Sequence, residues 1–155
     1  MTADRSDRMP RVNPPVYFLA ALLMIVFLDR RLPIREILPG LVSFVGLIPL
    51  VLGFAIGGPA GARFRRAGTP FRPGSEATAL VQEGPFRFTR NPMYLGMTLL
   101  LFGIALLTGS LSPLLVPPLF MALIDILFVR KEERWMEEAF GESYRAYRGR
   151  VRRWL

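Results

Sequence analysis

The chain contains no cysteine and no histidine, and its single lysine is Lys131. These absences exclude a disulfide framework, a thiolate or imidazole nucleophile, and the usual zinc ligands. Acidic residues are also scarce, because 12 Asp and Glu stand against 20 Lys and Arg, for a formal net charge of +8. Any chemistry must therefore use carboxylates, arginine, tyrosine, amides and the backbone, and we expect no metal site.

Apolar residues are abundant and make up 52% of the 155 residues. They fall into three runs that contain no charged residue: Pro14 to Leu28, Ile37 to Ala62, and Asn91 to Ile124. The first run needs its flanking residues to reach membrane-spanning length, and the second is long enough to span by itself. The third is long enough for two helices. The sequence therefore predicts an all-α, polytopic membrane protein forming a single domain with about four transmembrane helices. Their approximate bounds are residues 14–30, 37–60, 92–108 and 113–130.

The last two predicted spans form a C-terminal helical hairpin, because Gly109 to Pro113 is a cluster of turn residues. Beyond it, the tail 131–155 carries apolar side chains spaced by three or four with charged residues between them. This spacing is typical of an interfacial amphipathic helix, which we expect to bend at Gly141. The apolar positions are Met136, Phe140, Tyr144, Tyr147, Val151 and Trp154.

The arginine distribution predicts the orientation in the membrane. Residues 63–90 carry six arginines and the tail from Arg130 carries eight basic residues, whereas the turn at 109–112 carries none. Because basic segments stay in the cytoplasm, we expect both termini on the cytoplasmic side. The arginines at 30, 31 and 35 do not follow this pattern. We expect the membrane to be a bacterial or archaeal inner membrane. The basic excess is better matched to anionic membrane lipids than to nucleic acid.

Glycines mark two of the predicted spans. Gly46, Gly53 and Gly57 recur along the second span, and Gly96 and Gly103 lie seven residues apart on the third. Small residues of this kind allow helices to pack closely in a membrane. The sequence leaves open whether this packing lies within one chain or across a homodimer, and Gly96 could also allow a ligand to approach the backbone.

A helix start follows Arg90. Asn91 is a preferred N-cap residue and Pro92 suits the first helical position. The free N–H groups of that turn, together with Arg90, would favour an anion such as an amino-acid carboxylate. Tyr94 and Gly96 lie within the next turn and a half and are candidates for the same site.

Hairpin geometry brings a pair of acids to this helix start. With a rise of about 1.5 Å per residue, a helix leaving Pro92 and its returning partner reach the same level near Glu132 and Glu133. A zwitterion could then place its carboxylate on Arg90 and its ammonium on Glu132 or Glu133. Adjacent helical residues point about 100° apart, so we expect one Glu to face the site and the other to contact basic residues. A simple interfacial anchor is the competing interpretation.

Asp125 is an acid that lies inside the fourth predicted span, which makes it a candidate for function. It precedes Glu132 by seven residues and should share nearly the same helix face. Two readings stay open: Asp125 orients the polar head of a substrate, or it pairs with a neighbouring arginine.

Four pieces of the C-terminal half resemble the isoprenylcysteine carboxyl methyltransferase family, which belongs with the phospholipid methyltransferases among integral-membrane enzymes using S-adenosylmethionine. They are Arg-Asn-Pro-Met-Tyr-Leu-Gly from Arg90, the apolar hairpin, the Glu132-Glu133 pair, and Phe-Gly-Glu-Ser-Tyr-Arg-Ala-Tyr from Phe140. The family motif has histidine where this chain has Asn91. Asparagine keeps a hydrogen-bonding side chain but cannot titrate, so any role for an ionisable imidazole is excluded.

The resemblance implies a site for S-adenosylmethionine, with the loop 63–91 contributing to it. The cofactor-binding positions that it implies are Val81, Gly84, Phe86, Arg90, Asn91, Tyr94, Gly96, Glu132 and Glu133, and the catalytic candidates are Glu132, Glu133 and Asp125. Methyl transfer from a sulfonium needs positioning and desolvation more than a strong base. The expected function is therefore methyl transfer to a lipophilic acceptor from the bilayer, foremost a carboxylate or a thiol.

Three alternatives remain. A phospholipid amine N-methyltransferase would share the cofactor site but would need a base for its ammonium acceptor. An NADPH-dependent membrane reductase is an alternative because sterol reductases resemble this family in the C-terminal hairpin. A non-catalytic membrane scaffold is suggested by the missing histidine.

Overall fold

The structure is a computed structural model that describes residues 10, 12–38, 40–66 and 79–155. Residues 67–78 of the predicted cofactor loop lie outside the described residues. Within the described ranges the regular secondary structure is helical and there are no strands, as the sequence predicts. The α-helices found there are α1 (Pro14–Arg31), α2 (Leu47–Arg66), α3 (Pro92–Thr108), α4 (Val116–Ile124) and α5 (Arg130–Arg150).

In the described part of the chain, two helical segments are long and apolar enough to cross a membrane. One is Gly40–Arg63, which joins a 3₁₀ turn (Gly40–Gly46) to α2 and has a mean hydropathy of 2.2; the other is Ser112–Arg150, whose apolar part reaches 2.0. The outer surface of the first segment is strongly apolar, since Ile48, Val51 and Phe54 are all exposed. Such a surface is typical of contact with lipid rather than with water.

Glycines hold α2 against α3. A Cβ atom on Gly53 would lie 2.8 Å from the Gly96 carbonyl oxygen, and one on Gly46 would collide with the Gly103 carbonyl oxygen. A Cβ on Gly96 would in turn lie 2.9 Å from both the Gly53 oxygen and the Gly57 Cα. The close backbone approach between α2 and α3 is therefore made within one chain. A homodimer stays a prediction.

The turn after α3 is tied to the segment between α1 and α2. Gly109 ends α3 in the left-handed conformation, with φ of 77°. Its carbonyl oxygen accepts hydrogen bonds from the backbone N–H groups of Ile37 at 2.8 Å and Leu38 at 3.2 Å. The Ser110 hydroxyl donates to Asp29 at 2.9 Å. Glycine is suited to this position because its backbone adopts positive φ without steric cost.

The helical chain after this turn is less regular than the sequence predicts. A 3₁₀ turn (Ser112–Leu115) leads into α4, and a π-helical turn (Asp125–Val129) joins α4 to α5. A π turn holds an extra residue, so side chains before and after it are rotated relative to their positions in a plain α-helix. Further along, Gly141 has φ of 50° and ψ of −121°, which confirms the predicted bend in the tail helix.

The core lies where α1, α3, α4 and the π turn meet. Ile25, Leu101, Ile124 and Phe128 are fully buried there. The Phe128 ring packs edge-on against Tyr17, with ring centroids 5.6 Å apart. This contact holds the π turn against α1. The Phe128 ring also lies 6.5 Å from that of Tyr94, which links the π turn and the beginning of α5 to the beginning of α3.

Candidate functional site

The starts of α3 and α5 lie together, and each glutamate of the predicted pair has its own partner. Arg90 donates from Nη2 and Nε to Glu133 Oε1, at 2.9 and 3.1 Å. Both of these side chains are only 9% exposed. The Tyr94 hydroxyl donates to Glu132 Oε1 at 2.8 Å. The structure thus brings together the two parts of the site that the hairpin geometry predicts.

Asn91 stands at the N-cap position of α3 but does not cap the helix with its side chain. Its Nδ2 atom instead donates to the carbonyl oxygen of Arg153 at 3.2 Å, and its backbone N–H donates to Thr89 Oγ1 at 3.2 Å. The predicted N-cap position is confirmed, but the side-chain amide makes its hydrogen bond elsewhere, because the C-terminal segment offers it a backbone acceptor. That acceptor lies 62 residues away in the chain and is invisible to local sequence patterns.

Arg90 is largely satisfied by the protein itself. Besides its two bonds to Glu133, its Nη1 atom donates to the carbonyl oxygens of Arg148 at 3.1 Å and Val151 at 2.9 Å. These four hydrogen bonds use four of the five N–H groups that a guanidinium carries. Capture of a ligand carboxylate by Arg90 stays a prediction, and the geometry shows Arg90 as a connector between α3, α5 and the C-terminal segment.

Arg153 belongs to this site although no sequence pattern indicates it. Its Nη2 atom donates to Glu133 Oε2 at 2.7 Å, its Nε atom lies 3.2 Å from both Glu133 oxygens, and its Nη1 atom lies 3.4 Å from Asp125 Oδ1. The hydrogen bonds to Glu133 raise the pKa of Arg153 above its usual value. The predicted tail helix runs through residue 155, but α5 ends at Arg150 and Val151 is extended, so this part of the prediction is wrong. The position of Arg153 depends on contacts with residues far away in the chain, which no local pattern indicates.

Asp125 is buried and pairs with arginine. Arg130 Nε lies 2.7 Å from its Oδ2 atom, and Arg153 approaches its other oxygen. Asp125 therefore shares Arg153 with Glu133, whereas the seven-residue spacing predicts a shared face with Glu132. The π turn explains this correction, because the extra residue shifts the common face from the seventh to the eighth residue.

Glu132 has a different environment from that of its neighbour. Tyr94, its hydrogen-bond partner, is buried, and the Tyr94 ring lies 6.5 Å from that of Phe128. Burial raises the pKa of Glu132 to about 7, and the hydrogen bond from Tyr94 offsets part of that rise. Within the part of the chain that the structure describes, no arginine or lysine is paired with Glu132. This acid is therefore the member of the pair that can receive a cation from a ligand.

The tail helix holds the remainder of the predicted cofactor loop in place. The Tyr147 hydroxyl donates to the Phe86 carbonyl oxygen at 2.7 Å, and Arg150 Nη2 donates to Gln82 Oε1 at 3.2 Å. Burial raises the pKa of Tyr147 to about 12, so its hydroxyl stays protonated as a donor at neutral pH. The predicted tail helix thus packs against the loop segment that precedes α3.

This loop segment borders an open cleft of about 570 Å³. Gly84 stands at its wall with φ of 61°, and a Cβ atom there would lie 2.5 Å from the Arg63 guanidinium carbon. Of the other predicted loop positions, Phe86 is buried and Val81 is partly buried. The residues lining the cleft are Arg63, Gln82, Glu83, Gly84, Arg87 and Phe88.

Two further observations bear on ligands. Gly96 is buried against Gly53 and Gly57, so its packing role is visible, while the approach of a ligand to it stays a prediction. Among the described residues, no three acidic side chains are grouped so as to hold a metal ion.

Comparison with known proteins identifies the family. The family model described as phospholipid methyltransferase matches residues 41–143. An uncharacterized protein of Haemophilus influenzae is 36% identical over 63 residues, which are 41% of this chain and 100% of that protein. No solved structure gives a significant match. Because the family match runs from before α2 into the tail helix and covers well over half of the sequence, the chain belongs to the phospholipid methyltransferase family, whose membership implies a membrane methyltransferase.

Proposed function

We propose that this protein transfers the methyl group of S-adenosylmethionine to a lipophilic acceptor from the bilayer. The observation that carries the proposal is the Tyr94–Glu132 pair, a carboxyl group held by a phenol and paired with no cation among the described residues. A carboxylate in such surroundings stabilises the positive charge of a bound ligand more strongly than one in water. S-adenosylmethionine supplies the methyl group on a positively charged sulfur and also carries an ammonium group.

The surrounding residues fit the other parts of that cofactor. Backbone N–H groups at the start of α3, next to Arg90 and Asn91, favour a carboxylate. The cleft beside Gly84 offers polar side chains and backbone to a nucleoside, and Val81 and Phe86 would support that wall. We therefore retain the whole predicted set of cofactor positions, with Glu132 and Tyr94 nearest to the positive charge, Gly96 beside them, and Glu133 acting through Arg90.

For the membrane arrangement we propose four spans at approximately residues 14–30, 37–60, 92–108 and 113–130, with both termini in the cytoplasm of a prokaryotic cell. Support comes from the two segments long and apolar enough to span and from the shorter apolar helix α3. The packing of α3 against α4 supports a transmembrane hairpin between them. The site would then lie at the cytoplasmic surface, within reach of a soluble cofactor and of a lipid.

The acceptor is proposed as a carboxylate or a thiol, since neither needs a strong base. A second candidate, a phospholipid amine, is favoured by one observation. An amine must lose a proton, and Glu132, hydrogen-bonded to Tyr94, is the acid near the helix starts that has no arginine partner in the described ranges. Asp125 and Glu133, the other catalytic candidates, already pair with arginine and would act by positioning.

Equilibrium binding of S-adenosylmethionine and S-adenosylhomocysteine to detergent-purified protein tests the proposal. Glu132→Gln should weaken the binding of S-adenosylmethionine by about tenfold to a hundredfold, since a hydrogen bond to a charged group contributes about 1.5–3 kcal/mol. Glu138→Gln is the matched control, because Glu138 is exposed on the same helix. Its affinity should equal that of the wild type.

The same preparation identifies the acceptor. Wild-type protein given S-adenosylmethionine with a labelled methyl group should label either a prenylated cysteine or phosphatidylethanolamine in vesicles. A folded wild-type protein that binds neither cofactor form would contradict the methyltransferase proposal. Direct binding of NADPH to that protein would then favour the reductase, and a lack of NADPH binding would favour the scaffold.

A further inference from the structure

The C-terminal segment, residues 151–154, lies along Thr89 and Arg90, the residues that lead into α3. Arg90 donates its backbone N–H to the Arg152 carbonyl oxygen at 2.9 Å, and the Thr89 hydroxyl donates to the Arg153 carbonyl oxygen at 2.9 Å. The next residue, Trp154, packs against the hydrophobic core. The segment is therefore held by backbone bonds on one side and by apolar contact on the other.

This docking places the Arg153 side chain between two acids. Its guanidinium contacts both oxygens of Glu133 and one oxygen of Asp125. Glu133 Oε1 also accepts from Arg90, so Arg90, Glu133, Arg153 and Asp125 form one connected network. Glu133 is 7% exposed, and water cannot readily replace a lost partner at that position.

We infer that Arg153 is a positioning residue of this site. By holding Glu133 through both oxygens, it fixes the first turn of α5 and the orientation of Arg90, which lies two residues before α3. Glu132 occupies the same helical turn as Glu133. The position in which the Glu132 carboxyl group meets a ligand therefore depends on Arg153, which is far away in the sequence. Only the ligand-binding readout of this inference rests on the proposed function.

Neighbouring arginines provide a matched comparison. Arg152 and Arg153 lie in the same docked segment and carry the same charge, but the Arg152 side chain is exposed. Arg153→Gln should weaken S-adenosylhomocysteine binding by at least about tenfold, which corresponds to roughly 1.4 kcal/mol. Arg152→Gln leaves the backbone bonds intact and should change the dissociation constant less than twofold.

A conservative variant separates position from charge. Arg153→Lys keeps the positive charge but cannot contact two carboxylates with a planar fork. It should bind S-adenosylhomocysteine with an affinity between those of the wild type and Arg153→Gln. It also replaces the glutamine variant if that variant does not fold. An Arg153→Lys or Arg153→Gln protein that is folded and binds like the wild type would overturn the inference.

A double-mutant cycle tests whether Arg153 acts through Glu133. If it does, Arg153→Gln combined with Glu133→Gln should bind within about threefold of Glu133→Gln alone, because the second change removes a contact already lost. A general loss of structure would instead give losses that multiply in the dissociation constant. Multiplying losses would overturn the positioning role.

Trp154 supplies a readout that needs no ligand. In a Trp135→Phe background, Trp154 is the remaining tryptophan, and its fluorescence reports whether the C-terminal segment is docked. Arg153→Gln should increase quenching of this fluorescence by acrylamide, and Arg152→Gln should not. If wild-type protein binds no cofactor, the proposed function fails, but this measurement still tests the role of Arg153. Equal quenching in the two variants would overturn that role.

Discussion

At the scale of single residues, Glu132 and Glu133 show how neighbouring identical side chains acquire different properties. Glu133 is held by two guanidinium groups and is committed to connecting helices. Glu132 is held by a phenol, and its pKa is raised to about 7 by burial. The difference follows from the roughly 100° rotation between successive helical residues, which points one side chain toward Arg90 and the other toward Tyr94.

The raised pKa of Glu132 predicts a pH dependence of stability. The folded protein keeps a proton on Glu132 up to about pH 7, whereas the unfolded chain releases it near its ordinary value of 4.5. The contribution of Glu132 to the free energy of unfolding is therefore fully present below pH 4.5 and is lost as the pH rises through 7. Glu132→Gln removes this contribution. When the melting temperature of the variant is subtracted from that of the wild type, the difference should therefore decrease as the pH is raised from 5 to 8.

Melting of the ligand-free protein in detergent measures that difference. Glu138→Gln serves as control, because an exposed glutamate should give a difference that hardly varies with pH. A difference between wild type and Glu132→Gln that stays constant from pH 5 to 8 would contradict the raised pKa of Glu132 in the folded protein.

At the scale of helices, the contact between α2 and α3 depends on glycine more than on complementary large side chains. Gly53→Ala would place a Cβ 2.8 Å from the Gly96 oxygen, so we expect a loss of about 1–3 kcal/mol, as for other overpacked sites. Gly57→Ala is the control on the same helix, since its Cβ would meet the Gly96 Cα at an ordinary 3.6 Å. Thermal unfolding in detergent should show a lowered midpoint for Gly53→Ala alone. Equal midpoints would mean that α2 and α3 do not approach closely at Gly53.

At the scale of the whole molecule, the proposed topology places the turn after α3 outside the cell and the tail helix inside. Because the chain has no cysteine, single-cysteine variants report these positions without background. Leu111 and Ser143 are both exposed and suit the test. In spheroplasts, a membrane-impermeant thiol reagent should label Leu111→Cys but not Ser143→Cys, and both should react after permeabilisation. Labelling of Ser143→Cys in intact spheroplasts would contradict a cytoplasmic tail.

Much of the fold could be predicted because its signals are local. Long uncharged runs predict helices, Gly109 predicts the end of α3, and Gly141 predicts a bend, and the structure has each of these features. The contact between Arg90 and the glutamate pair could also be predicted from the sequence, since it follows from the rise per residue of a helix and the lengths of the two helical segments. The π turn was not, because it depends on the packing of Phe128 and on Asp125 finding arginine partners.

The sequence by itself determined the helical class, the family signature and the residues that carry charge near the start of α3, because hydropathy, turn residues and motif spacing are properties of short segments. Only the tertiary structure decided which glutamate has no arginine partner in the described ranges, that the glycines pack within one chain, and that Arg153 enters the site. Those outcomes depend on contacts between residues far apart in the chain, such as the 64 residues between Thr89 and Arg153. The free energy of burying a charge depends on the groups that surround it after folding, so no local sequence pattern could predict these outcomes.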